Sequence, residues 1–128
     1  MKRKFILWID DMQNWTDIVI DNLSILARDK NIKLFVKSEL NGEDLRQIFM
    51  MYPFDLVVMD FHMEPFNGDK YIKDIRDEEH LDLIPIIFYS QDPDVDLASL
   101  IQDSKNVYIT SRESVEDLIK TFIFPNQM

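Results

Sequence analysis

The chain has 128 residues, 46% of them apolar and 30% charged, enough for one domain with its own core and too few for a second folding unit. Twenty-four acidic against fourteen basic side chains give a net charge of -10, which opposes binding to nucleic-acid backbones or anionic lipid through a basic face. With no cysteine, disulfides, zinc–thiolate sites and thiol catalysis are excluded and a reducing compartment, the cytoplasm, is expected.

In chain order, the first expected element is a strand over Phe5–Ile9, whose apolar run stops at Asp10-Asp11, too early for a signal peptide. Trp15, Ile18, Val19, Leu23 and Leu26 then recur at helical spacing. A second strand is expected over Leu34–Val36, a helix around Leu45, Ile48 and Phe49, and a third strand over Leu56–Met59 ending at Asp60. Tyr71, Ile72 and Ile75 mark a third helix, Ile84–Tyr89 a fourth strand, and Val95, Leu100 and Ile101 a fourth helix. Val107–Ile109 is the fifth strand, and Val115, Leu118, Ile119 and Phe122 the fifth helix. Ser114 with Asp117 reads as a capping box opening that helix, and Pro125 as its end. No apolar run is long enough to cross a bilayer, and Gly42 and Gly68 are too few glycines for a phosphate loop or a dinucleotide fingerprint.

Continuous rather than alternating apolar strands, separated by helices, imply a parallel sheet covered on both faces with right-handed crossovers. The expected fold is an α/β three-layer sandwich, a flavodoxin-like (βα)5 unit with strand order 2-1-3-4-5. Residues 1–128 should form this one domain, with no output domain after the last helix. Ligands in such sheets bind beyond the carboxyl ends of the strands, where the strand order reverses.

Strand one runs out into Asp10-Asp11 and strand three into Asp60, and in that order the two strands are neighbours. Three carboxylates sharing one crevice raise one another's pKa or demand a cation. Magnesium prefers carboxylate oxygens and completes its shell with water and phosphate, so the acids predict Mg²⁺ and a phosphoryl group. Ser90, ending strand four, stands where its hydroxyl reaches a phosphoryl oxygen on Asp60, although a serine there is more often a turn residue.

The acid pair Asp10-Asp11, the stretch Asp60-Phe61-His62-Met63-Glu64-Pro65-Phe66-Asn67-Gly68, Ser90 and Tyr108 together resemble a response-regulator receiver domain over nearly the whole chain. The resemblance implies Asp60 as phosphoacceptor, Asp11 as direct metal ligand, Asp10 as its outer-shell companion and the backbone carbonyl of His62 as a further ligand. It also implies Ser90 as the switch hydroxyl and Tyr108 as the aromatic whose rotamer follows it. His62 and Asp92 resemble positions that tune the lifetime of the acyl phosphate.

The family's Lys after strand five is missing; Ser111 or Arg112 takes that position. Counting from Ser90 favours Arg112, whereas alignment on Tyr108 leaves Arg112 a solvated side chain at a helix start, the commoner fate. Pro65 also stands one place later than in the family. The implied function is a phosphoacceptor switch rather than an enzyme, fed by a histidine kinase or phosphotransfer protein and acting on an unknown downstream protein. The competing reading is a pseudo-receiver, a phosphorylation-independent interaction module. An FMN carrier is disfavoured because Asp10-Asp11 would repel its phosphate. The helix after strand four, strand five and the last helix are the implied signalling face, and Met50-Met51 a second candidate patch, against the commoner expectation of buried methionines.

Overall fold

The computed structural model describes residues 2–124. A five-stranded parallel sheet of order β2-β1-β3-β4-β5 is formed by β1 (Lys2–Ile9), β2 (Ile32–Glu39), β3 (Leu56–Asp60), β4 (Ile86–Ser90) and β5 (Val107–Ser111). The helices are α1 (Gln13–Asp29), α2 (Leu45–Met51), α3 (Gly68–Arg76), α4 (Leu97–Leu100) and α5 (Val115–Ile123), with 3-10 turns at Glu79–Leu81 and Arg112–Ser114. The expected architecture and strand order are those observed.

Every residue of β3 and β4 is buried, as a central strand covered on both faces requires. Side chains alternate between two cores. Leu7, Ile9, Val57, Met59, Ile86 and Phe88 pack under α2, α3 and α4. Ile6, Trp8, Leu56, Val58, Ile87 and Tyr89 pack under α1 and α5, against Val19, Leu23, Val115 and Ile119. Each fully buried aliphatic or aromatic side chain contributes about 1.5–3 kcal/mol by leaving water, so these layers fix the sheet on which the site stands.

Several boundaries differ from expectation. β1 and β2 are longer, because Lys2, Arg3 and Lys4 pair in register with Ile32, Lys33 and Leu34 despite their charge. β4 begins at Ile86 rather than Ile84; Pro85 has no N–H to give to the ladder. α4 shrinks to a single turn, opened at Asp96, whose side chain accepts from the Ser99 N–H at 3.3 Å. The capping box at Ser114 does not form: the preceding 3-10 turn already gives Ser114 helical backbone angles, and its side chain makes no cap bond. Pro125 lies outside the described residues. Met50 and Met51 are exposed, at 82% and 63%, because α2 turns Leu45 and Ile48 to the core instead.

Arg76 at the end of α3 ties the amino ends of β4 and β5 together, donating to the carbonyls of Lys105, Leu81, Ile84 and Asn106 at 2.7–3.1 Å. Basic and acidic side chains are unevenly placed along the strands. Lys2, Arg3, Lys4, Arg28, Lys30 and Lys33 gather near the amino ends of β1 and β2 and the end of α1, while Asp10, Asp11 and Asp60 close the opposite ends of β1 and β3. None of the described helices is long and apolar enough to cross a membrane.

Candidate functional site

β1 and β3 lie side by side in register, Ile9 opposite Met59, so the residues leaving them converge. Asp10, Asp11 and Asp60 each offer a carboxylate oxygen within 4.8 Å of the others. Asp10 is fully buried and Asp60 is 4% exposed, while Asp11 faces solvent. Burial drives the Asp60 carboxyl up to about 7, with Asp10 adding to the rise, Arg112 opposing it and Asp11 adding a little more. At neutral pH the protein alone does not stabilise three negative charges here. Hard oxygen donors, two of them recessed, with charge left over, are the donor set a hydrated Mg²⁺ takes, and the residues fit that ion.

Asp10 is held from several sides. Its Oδ1 accepts the Met12 N–H at 2.7 Å, and its Oδ2 accepts from the Tyr89 hydroxyl and from Arg112 Nη2, the latter at 3.3 Å. The Gln13 side chain donates to the Asp10 carbonyl at 2.7 Å. Burial and the Asp10 charge raise the Tyr89 phenol far above its ordinary range, so it stays a donor at any physiological pH. The same hydroxyl accepts the Trp8 indole N–H at 2.9 Å.

Of the two positions proposed for the missing cation, Arg112 enters the crevice. Its side chain is 13% exposed, which corrects the solvated reading. The guanidinium contacts Asp10, donates to Gln91 Oε1, lies 3.3 Å from the Met12 sulfur and stacks over Trp15 with Cζ 4.4 Å from the ring centroid. Trp15 in turn meets Trp8 edge-on at 5.6 Å and Tyr89 at 5.8 Å. Ser111 instead pairs in register with Ser90 on the sheet.

Ser90 is buried at the end of β4, beside the Asp60 strand, and its Oγ accepts the Asp92 N–H at 3.0 Å. His62 follows Asp60 in the β3–α3 loop, with Nε2 3.8 Å from Asp92 Oδ2 across the mouth of the crevice. Tyr108 is not brought to the site: its ring packs on Phe122 of α5 at 5.0 Å, because it sits one residue out of phase with Val107, which joins the core beneath α2, α3 and α4. Trp8, Met12, Trp15, Tyr89 and Gln91 are contributors that sequence reasoning did not single out. The alternation that sends Trp8 toward α1 also sends Asp10 there, and was the available signal for the aromatic surround.

No protein-family model matches the chain. Solved structures do. The phosphorylated cyanobacterial phytochrome response regulator RcpA superposes with a TM-score of 0.78 at 19% identity, over 94% of this chain and 94% of that one. The chemotaxis response regulator CheY4 of Vibrio cholerae gives 0.75 at 16% identity, over 94% and 96%. A response regulator receiver protein of Pseudomonas putida gives 0.72 at 20% identity, over 98% and 99%. The chain therefore has the receiver fold of response regulators. In sequence, a probable cyclic di-GMP phosphodiesterase of Vibrio cholerae is 27% identical over 92 residues, covering 69% of this chain and 21% of that protein. The chain thus spans about a fifth of the length of that relative.

Proposed function

We propose that the chain is a phosphoacceptor signalling switch of a two-component relay. The reading is carried by one observation: three carboxylates within 4.8 Å at the carboxyl ends of neighbouring strands, the recessed Asp60 among them. An Asp60 oxygen forms a new P–O bond as the P–N bond of a phosphohistidine donor breaks, with the electron pair leaving on the imidazole nitrogen. Asp10, Asp11, Asp60 and the His62 carbonyl would hold Mg²⁺, which neutralises charge on the equatorial phosphoryl oxygens. Arg112 adds a fixed positive charge at the crevice wall, and Ser90 offers a hydroxyl to the transferred group. The donor is a histidine kinase or phosphotransfer protein, and output runs through contacts with a further protein. In this reading the chain is an acceptor and not an enzyme acting on other substrates.

The pseudo-receiver reading has its own support, since Arg112 already serves as counter-ion to Asp10, whose two oxygens are both engaged. Mg²⁺ with beryllofluoride separates the two. A phosphoacceptor binds the fluoroberyllate with chemical-shift changes at Asp60 and Ser90, abolished in Asp60→Asn. A wild-type chain that binds none of it at millimolar Mg²⁺ leaves only the interaction module.

A further inference from the structure

We propose that the stack of Arg112 on Trp15 carries the state of the acidic crevice to the α1–α5 face, so that a change at Asp60 is read there and not at the α4–β5 edge. This deepens, and rests on, the phosphoacceptor reading. Arg112 opens the 3-10 turn that leads directly into α5, and Trp15 lies in the first turn of α1, so one guanidinium joins both elements to Asp10. Its Nε is buried with no acceptor among the described residues. A buried donor without a partner is costly, and phosphoryl oxygens arriving at Asp60 supply acceptors for it. The planar fork turns toward them while keeping a cation–π contact with the indole, a movement a lysine ammonium would not transmit to the ring in the same way.

The opposite edge lacks the parts for such a relay. α4 is four residues long, and Tyr108 rests on Phe122. Ile109, the next residue along β5, is 42% exposed. On the α1 side, by contrast, Trp15, Trp8 and Tyr89 form a continuous aromatic contact from Arg112 back to Asp10. Trp15 is thus a positioning residue for Arg112.

The experiment follows the whole chain with and without Mg²⁺ and beryllofluoride, using fluorine NMR for binding, hydrogen exchange for segments 12–20, 91–101 and 112–120, and tryptophan emission. The wild type should bind the fluoroberyllate, change its emission and gain protection in 12–20 and 112–120. Arg112→Gln should bind about tenfold more weakly and, at saturation, show no response in 12–20. Trp15→Phe should keep the response and Trp15→Leu lose it, with unchanged far-ultraviolet spectra and binding, which a purely structural role would not produce. Binding accompanied by protection confined to 91–101, or a response in 12–20 that survives Arg112→Gln, overturns this inference alone. Absence of the bound-fluoroberyllate signal in the wild type overturns it together with the phosphoacceptor reading.

Discussion

At the scale of single residues, the Asp60 carboxyl is the site group whose charge the fold disfavours. Its carboxyl is pushed up to about 7 when folded, against 3.8 when unfolded. Between those values the folded chain binds more protons than the unfolded one, so stability falls as pH rises from about 4 to about 7 and levels off above. Asp60→Asn removes that cost. The variant should be more stable than wild type by on the order of 1–3 kcal/mol at pH 8 and no more stable at pH 4, as read from urea midpoints at the two pH values. Millimolar Mg²⁺ should shrink the difference at pH 8, because the ion supplies the missing positive charge. The position of Asp60 was legible in the sequence, as an acid ending a buried run. The setting of Arg112 was legible only in part: counting from Ser90 offered it and alignment on Tyr108 did not, and the pairing of Ser90 with Ser111 fixes the register that decides between them. Tyr108 is the same lesson in reverse: identity suggested a site residue, and a one-residue phase put its ring on α5.

At the scale of elements, the β3–α3 connection decides whether Asp60 is held in place. Gly68 opens α3, and its N–H donates to the Phe61 carbonyl at 2.8 Å. A Cβ there would sit 2.2 Å from the Asp60 carbonyl oxygen and 2.9 Å from Met59. Backbone cannot yield as a flexible side chain can, so Gly68→Ala should cost roughly 1–3 kcal/mol and displace the Asp60 loop. Thermal unfolding and the amide shifts of residues 60–68 check this. Gly42→Ala, whose Cβ would meet the Tyr71 ring at 2.4 Å, should disturb the α2–α3 packing and, through the Phe66–Tyr71 ring contact, the shifts near Phe66, while leaving those of residues 60–62 in place. The strands and the long α1 could be read from apolar periodicity because their side chains fill two unbroken cores. α4 could not, because the cap at Asp96 and the turn through Asp92 and Asp94 take up backbone that periodicity alone assigned to a helix.

At the scale of the whole molecule, any ion held by the crevice stabilises the folded chain, because the three acids converge only when β1 and β3 are paired. Once Mg²⁺ exceeds its dissociation constant, each tenfold increase should add about 1.4 kcal/mol to the unfolding free energy. Calorimetric melting at rising Mg²⁺ checks this against a matched ionic strength set with sodium chloride, and a melting point indifferent to Mg²⁺ would contradict it. The placement of the site acids has a further consequence. The three site acids lie together at one end of the sheet, on a chain whose net charge is already -10, so the crevice mouth is a negative feature of the surface. A metal cation is drawn toward that end as it diffuses in, a pull that weakens as added salt shortens the screening length.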